Sequence, residues 1–364
     1  MTPPKKVLHI SDLAGLGGLQ SAVRNLAESQ QRMGYEVQIM APPWDPPSGP
    51  GGYHTRIPVH PWTPALVSQF PLIHTHAGSG FLNKRWRRLS SSPTVVHTYQ
   101  GSICGIFVAM RWFLNFVGRN GWTPYKKMLT EARGGWWAHR VIAVSPKVLT
   151  ETALYYRVRQ RKITVIPNGY IPYSGPLPAK AALRSKFGLP QDRFLILFVG
   201  RPDPVKDFTS VLEAFRKLLA GNKNAALVVA PRQDIQGEGV YSLEVPPKEV
   251  ADLYLACDVF VNASKYDAYS LAVHEALAYG LPVIHSDRCG NAGFTTNGLD
   301  ALIVARRGKP PVSQQLHTAM STLMMDDTLR SRLAHHAKTK FAPMTWDWVA
   351  RQTEAVYLTA QAAR

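Results

Sequence analysis

Apolar residues come along this chain in short runs, separated by glycine-bearing loops and by stretches with helical spacing. Val7-Leu8-His9-Ile10 reads as a strand and Asp12 to Gly18 as a loop. From Leu19 to Met33 the apolar positions Leu19, Val23, Leu26 and Ala27 fall on one helical face. Gly34 ends that helix and Val37-Gln38-Ile39-Met40 is the next strand. Strand, glycine loop, helix and strand make a βαβ unit. Leu72-Ile73-His74, Thr94-Val95-Val96-His97, Val141-Ile142-Ala143-Val144 and Ile163-Thr164-Val165-Ile166 continue the series. Such short β-branched runs suit a parallel sheet covered on both faces.

Between Pro167 and Pro190 the composition changes, with prolines also at 172, 176 and 178 and glycines at 169, 175 and 188, which marks a linker. A second series follows. Phe194 to Val199 is a strand, Gly200 to Asp207 a loop, Thr209 to Leu219 an amphipathic helix and Ala225 to Ala230 a strand. Val250 to Leu255 is a helix and Val259-Phe260-Val261 a strand. Arg232 to Val245 is too short and irregular to assign. Two such series predict an α/β protein with two doubly wound, Rossmann-like domains facing a cleft, over residues 1–172 and 173–344. The aromatic-rich stretch Trp346 to Thr359 predicts a helix, so that 345–364 crosses back onto the first domain.

The most informative run is Tyr266 to Ile284. It reads as a loop bearing Asp267, a helix with Glu275 inside it, a stop at Gly280 and a strand led by Pro282. A helix start offers free backbone N–H groups, which suit phosphate; a carboxylate further in suits sugar hydroxyls. A nucleotide-sugar carries both groups.

Composition narrows the class. At 364 residues and 45% apolar, the chain is long enough for two domains and too apolar for global disorder. Cys104, Cys257 and Cys289 have no metal spacing and cannot all pair, which points to a reducing compartment. The start lacks a signal-peptide core, and Ile103 to Val117 is interrupted by Arg111 and too short to span a bilayer. The expected location is cytoplasmic. The net charge of +18 is uneven. Residues 1–173 hold 20 Lys+Arg against 6 Asp+Glu, or +14; the remainder holds 22 against 18, or +4. The first half therefore faces something acidic. Lys84-Arg85-Trp86-Arg87-Arg88 and the stretch from Arg111 through Trp112, Phe113, Arg119, Trp122, Lys126 and Lys127 interleave cations with aromatics. That mixture suits the interface of an anionic bilayer, here the preferred partner, ahead of a solvated face and of nucleic acid.

In residues 194–304 the chain resembles the retaining glycosyltransferases of the two-Rossmann-domain (GT-B) kind, group 1 or family 4. The resemblance rests on Phe198-Val199-Gly200-Arg201 with Lys206-Asp207, on the Asp267/Glu275 pair, and on Ala276 followed by Tyr279-Gly280-Leu281-Pro282-Val283-Ile284. In the first half, Gly17-Gly18-Leu19-Gln20, His74-Thr75-His76, Val144-Ser145 and Val165-Ile166-Pro167-Asn168-Gly169 match in order. The chain departs from the family at Asp267, where a glutamate is usual, at Ser270, where a glycine is usual, and at Gly293, where a glutamate is usual.

The resemblance implies roles. Arg201 and Lys206 would neutralise the departing nucleoside diphosphate, with no metal and no cofactor beyond a UDP- or GDP-linked donor. Glu275 would accept both ribose hydroxyls. Asp267 would contact the donor sugar or place the phosphate loop. Ser270 and Leu271 would offer backbone N–H groups to the diphosphate. Gly17 and Gly18 would let backbone approach donor or acceptor, and His97 would hold a sugar hydroxyl near the reacting centre. His74 and His76 are read as structural, since no acidic partner has metal-site spacing nearby. The implied reaction transfers a sugar, with retention, to an acceptor hydroxyl, plausibly of a lipid-linked saccharide in cell-surface polysaccharide or lipopolysaccharide assembly. The alternatives are a catalytically silent basic adaptor for membrane or nucleic acid, and a nucleotide-sugar epimerase or hydrolase.

Overall fold

The computed structural model describes residues 5–12, 17–42, 55–86, 92–110, 123–201 and 203–363. Its contacts divide the chain into two compact units, Met1–Gly169 with Trp346–Arg364, and Tyr170–Thr345.

The first unit is built on a seven-stranded sheet, ordered β3-β2-β1-β4-β5-β6-β7. The strands are β1 (Lys6–Ile10), β2 (Glu36–Met40), β3 (Val59–His60), β4 (Leu72–His76), β5 (Thr94–Tyr99), β6 (Arg140–Ala143) and β7 (Ile163–Val165). Every pairing is parallel. Helix α1 (Gly18–Arg32) buries Ala22, Val23, Leu26 and Ala27, the face that its spacing predicts. Three further helices matter below: α2 (Ile103–Met110), α3 (Thr123–Trp137) and α4 (Pro146–Tyr155). Ser145 caps α4, its Oγ accepting from the Val148 N–H.

The second unit carries a six-stranded parallel sheet, ordered β10-β9-β8-β11-β12-β13. Its strands are β8 (Phe194–Val199), β9 (Ala225–Ala230), β10 (Val240–Ser242), β11 (Val259–Asn262), β12 (Val283–Ser286) and β13 (Leu302–Val304). Helices α5 (Phe208–Gly221), α6 (Val250–Ala256) and α7 (Leu271–Tyr279) connect them. Apolar residues cover both faces. One cluster joins Leu195, Leu197 and Phe260 to Val273 and Leu277; the other joins Ile196 and Phe198 to Phe215, Leu316 and Leu333. Gly280 closes α7 in the left-handed region (φ 76), which lets the Leu281 N–H reach the Ala276 carbonyl at 2.9 Å. Helices α8 (Val312–Met325) and α9 (Asp327–Phe341) complete the unit.

The C-terminal helix α10 (Trp346–Ala362) packs on the first unit, against α1, β5 and β6. Its Tyr357 is buried and enters a polar network in the core. The Gln30 amide donates to the Tyr357 hydroxyl at 2.9 Å, and that hydroxyl lies 2.6 Å from His74 Nδ1. His74 Nε2 reaches Thr98 Oγ1 at 2.6 Å, His9 Nε2 reaches Gln30 Oε1 at 2.7 Å, and His9 Nδ1 meets His76 Nε2 at 2.9 Å. An amide oxygen only accepts, so His9 carries its proton on Nε2 and takes one from His76 on Nδ1.

Candidate active site

In both sheets the strand order reverses direction beside the first strand, between β1 and β4 and between β8 and β11. Loops leaving the carboxyl ends of two such strands run to opposite faces and open a crevice where open α/β sheets take ligands. In the second unit those loops are residues 200–207, after β8, and 263–270, after β11. They are stitched by the Lys265 N–H donating to the Val205 carbonyl at 2.7 Å.

Each loop contributes one charged side chain to the crevice, and the two meet. Asp203 caps the short turn Pro204–Lys206, its Oδ1 accepting from the Val205 N–H at 2.8 Å. Lys206 Nζ then lies 2.6 Å from Asp267 Oδ2. Burial pulls the Lys206 ammonium down, but the Asp267 carboxylate more than offsets that, and its pKa ends above the ordinary lysine value. Arg201 stands exposed on the same loop, near enough for its charge to bear on Lys206. Asp267 is held by backbone: its N–H donates to the Arg288 carbonyl at 3.2 Å and its carbonyl accepts from the Gly290 N–H at 2.9 Å.

Helix α7 starts three residues beyond Asp267's neighbour Ala268. Ser270 is its N-cap, with Oγ accepting from the Val273 N–H at 3.4 Å. The structure corrects the expected role of Ser270. Its own N–H donates to Asn291 Oδ1 at 2.8 Å, and Asn291 Nδ2 returns a bond to the Ser270 carbonyl at 3.2 Å. The Ser270 N–H is therefore spent inside the protein. The Leu271 N–H, in the first helical turn, has no acceptor among the described residues. Fully buried Asn291, in the turn Gly290–Gly293 that also contains Gly293, is the residue the sequence reading missed. No local signal marks it, because its partner Ser270 lies 21 residues earlier.

One turn further along α7, Glu275 is half-buried. Its Oε2 accepts from the Tyr254 hydroxyl of α6 at 2.8 Å. Burial pushes the carboxyl up to about 7, and the Tyr254 hydrogen bond offsets part of that. Thus Arg201, Lys206, Asp267, Leu271 and Glu275 come from the loops and helix at one edge of one sheet.

The remaining expected residues belong to the first unit. Gly17 is the N-cap of α1, without a side-chain cap, and Gly18 is the first helical residue, exposed. They follow β1, at that sheet's own reversal point.

His97 is a second correction. Strand β5 runs on to Tyr99, so His97 lies inside the sheet and not at its end. Its ring is fully buried, with Nδ1 2.9 Å from Thr75 Oγ1. It fills space left by two glycines: a Cβ on Gly80 or on Gly134 would come within 2.5 Å or 2.6 Å of the imidazole. Burial pulls the ring down to about 3, so it is neutral. The ring is thus packed inside the first unit, and its Nε2 is buried without a hydrogen-bond partner among the described residues. Gln100 is the side chain just past the end of β5, exchanging amide hydrogen bonds with Asn168 at 2.9 and 3.3 Å.

Among the described residues, the cluster of metal-ligand type is His9, His74 and His76. Both nitrogens of His9 and of His74 and the Nε2 of His76 are engaged in the core network above. His76 Nδ1 is buried without a hydrogen-bond partner among the described residues, and burial holds all three imidazoles below the usual histidine range.

Of the basic-aromatic segments, Lys84 lies over the Trp137 ring and Arg85 over Trp86. Arg87, Arg88, residues 111–122 and the side chains of Lys126 and Lys127 lie outside the described residues. Among the described residues of the first unit, Val108 on α2, Trp136 on α3, and Leu154 and Tyr155 on α4 are exposed apolar side chains. Arg133, Arg157, Arg159 and Arg161 are exposed nearby and form no ion pair among the described residues.

Known families match both halves of the chain. Residues 179–340 match the description "Glycosyl transferases group 1" and residues 16–172 match "Glycosyltransferase Family 4". The chain is thus a glycosyltransferase of group 1 type, and its fold is GT-B. It is 26% identical to a D-inositol 3-phosphate glycosyltransferase of Xylanimonas cellulosilytica, over 96% of this chain and 93% of that one. It is 25% identical to the UDP-Gal:alpha-D-GlcNAc-diphosphoundecaprenol alpha-1,3-galactosyltransferase of Escherichia coli, over 65% of this chain and 62% of that one. The crystal structure of Anabaena HepE in complex with UDP-glucose superposes with a TM-score of 0.76 at 16% identity, covering 98% of this chain and 99% of that one.

Proposed function

We propose that this glycosyltransferase moves a sugar, with retention at the anomeric carbon, from a UDP- or GDP-linked donor to a hydroxyl of a lipid-linked saccharide in cell-surface polysaccharide or lipopolysaccharide assembly. The observation that carries the donor site is the meeting of Lys206 and Asp267 at the reversal point of the second sheet, with Asp267 on the loop that leads into the helix bearing Glu275. The ribose hydroxyls donate to the Glu275 carboxylate. The diphosphate takes the Leu271 N–H at the start of α7 and the charges of Lys206 and Arg201.

As the glycosidic bond breaks, negative charge gathers on the β-phosphate. A fixed ammonium and a guanidinium stabilise it there without reorganising, and they serve in place of a metal ion. Before the donor binds, Asp267 holds the ammonium. When the diphosphate arrives, Lys206 exchanges a carboxylate for a phosphate, and Asp267 is freed to accept from a sugar hydroxyl. Attack from the face the leaving group departs keeps the anomeric configuration, and the leaving phosphate takes the acceptor proton. No protein nucleophile is then required.

The membrane reading draws on the charge of the first half, on the exposed Val108, Trp136, Leu154 and Tyr155, and on the exposed Arg133, Arg157, Arg159 and Arg161. That mixture fits the anionic inner face of the cytoplasmic membrane, where sugar-lipid acceptors reside. The name of the Escherichia coli relative, with its UDP donor and diphosphoundecaprenol acceptor, supports the same class of substrates.

The test is a thermal-shift panel with UDP, GDP, ADP and dTDP on the wild type and on Glu275→Ala. A diphosphate at about 100 times its dissociation constant stabilises the fold by about 2.7 kcal/mol. One diphosphate is expected to stabilise the wild type and not the variant. No stabilisation by any of them, with saturable binding to anionic liposomes or nucleic acid, would place the basic adaptor first. Consumption of a nucleotide-sugar with no acceptor product would place the epimerase or hydrolase first.

A further inference from the structure

Asp207 follows Lys206 and sits in the left-handed region, with φ 51 and ψ 45. A residue with a Cβ is disfavoured there and keeps the conformation only where its surroundings impose it. The groups that impose it are identifiable. Asp207 is buried, and its Oδ2 accepts from Arg306 Nη1 and, at 2.9 Å, from Ser210 Oγ. Lys265 Nζ stands 3.6 Å from Oδ1. Arg306 is itself anchored: Nη1 also donates to the Ala263 carbonyl at 3.2 Å, and its backbone N–H donates to Asp287 Oδ1 at 2.9 Å. One guanidinium thus ties together the segments that follow β8, β11 and β13.

The left-handed residue is where the chain turns from the short Pro204–Lys206 turn into α5. Its φ therefore sets the direction in which Lys206 leaves the backbone. We propose that Arg306 is a positioning residue: by holding Asp207 left-handed it aims Lys206 at the donor diphosphate. The proposal rests on the donor-site reading above. Arg306 acts through Asp207: its Nη1 is committed to the carboxylate and to Ala263, and direct anion binding through Nε or Nη2 is the alternative that the test below separates from it.

Glycine adopts this conformation without a clamp. Replacing Asp207 by glycine should therefore make Arg306 dispensable, which separates positioning from direct anion binding. UDP and GDP are titrated separately by calorimetry, and the tighter one is used throughout. Arg306→Ala is expected to weaken it about tenfold, as a small misplacement of a charged group does. In the Asp207→Gly background, adding Arg306→Ala is expected to change affinity by less than about twofold, a non-additivity that marks two residues acting as one unit. A tenfold loss that persists in the Asp207→Gly background means that Arg306 binds the anion itself, and the proposal falls. It falls also if Arg306→Ala alone binds as the wild type does. Should Arg306→Ala fail to fold, Arg306→Lys, which keeps the charge but loses the guanidinium fork, takes its place with the same expectations. Lys206→Ala distinguishes the two levels: unchanged diphosphate affinity there overturns the donor reading, whereas loss there with none at Arg306 overturns this proposal alone.

Discussion

Lys206 Nζ lies 2.6 Å from Asp267 Oδ2, and the two residues come from the loops after β8 and β11, on either side of the point where strand order reverses. Both side chains are only partly exposed to water. The pair keeps the ammonium charged, and a diphosphate can take the place of the carboxylate.

Removing either partner should have different consequences. Lys206→Ala removes the cation at the leaving group, so donor turnover should fall by about 10² to 10³-fold, the usual loss for one electrostatic contact to a transition state. Asp267→Ala removes the main charge that raises Lys206 and leaves burial and Arg201 to lower it, so its pKa should drop below the wild-type value. Turnover against pH then reads the difference: activity in Asp267→Ala should decline at a lower pH than in the wild type. Superimposable alkaline limbs would show that the ion pair does not govern Lys206.

Glu275 makes a prediction of opposite sign for binding and stability. Its carboxyl is pushed up to about 7 in the folded protein. A carboxyl raised on folding binds more protons folded than unfolded, so ionising it costs stability as pH rises toward 7. Glu275→Gln should therefore raise the melting temperature at pH 8 while removing nucleotide binding, since an amide cannot accept two ribose hydroxyls as a carboxylate does. In the wild type, diphosphate affinity should strengthen between pH 6 and pH 8. Titrations at the two pH values, with melting curves of both proteins, check it; a variant less stable at pH 8 would contradict the burial argument.

His97 should matter for folding and not for the donor. Its ring fills the gap between Gly80 and Gly134 and meets Thr75. His97→Ala should cost about 2–4 kcal/mol, as large-to-small changes in a packed core do, and leave diphosphate affinity unchanged. Gly134→Ala should cost about 1–3 kcal/mol by overpacking against the same ring. Chemical denaturation with a parallel nucleotide titration decides this; a His97→Ala protein of normal stability and lost turnover would return the residue to the reaction.

The misreading of His97 shows where pattern stops informing. The run Thr94-Val95-Val96-His97 gives a strand, but Thr98 and Tyr99 continue it, and two residues separate a ligand-facing end from a buried middle. The regular elements were legible because buried parallel strands need continuous apolar runs. Phe194–Val199 and Ala225–Ala230 fall on the predicted bounds. Asp267 and Glu275 stand out in sequence because they share the single run 266–284, whereas Lys206, on another loop, entered through the resemblance; their meeting is a feature of the fold. Asn291, Arg306 and Gln100 do not stand out, because what they do depends on partners many residues away: Ser270, Asp207 and Asn168. The two- and three-residue strands β3, β10 and β13 were not read, whereas β7, equally short, was read because its β-branched run extends to Ile166.

The C-terminal helix supplies the last test. Tyr357 takes a proton from Gln30 and faces His74 Nδ1, inside a core that also holds His9 and His76. Since the hydroxyl accepts from the amide, it donates to the imidazole, and His74 donates onward to Thr98. Tyr357→Phe would leave a buried amide N–H and a buried imidazole nitrogen unpaired, at a cost of about 1–3 kcal/mol each. The network also sets an acid limit. Burial lowers His9 to about 4 and holds His74 and His76 well below the usual value, so the unfolded chain binds more protons than the folded one below pH 6.5. Stability of the first unit should therefore fall as pH drops from 6.5 toward 4. Replacing His9 by glutamine, which keeps a donor toward Gln30 but does not titrate, should flatten that slope. Denaturation midpoints at pH 7 and pH 5 for wild type, Tyr357→Phe and His9→Gln measure both effects, and an equal loss on acidification in wild type and His9→Gln would rule out His9 as its source.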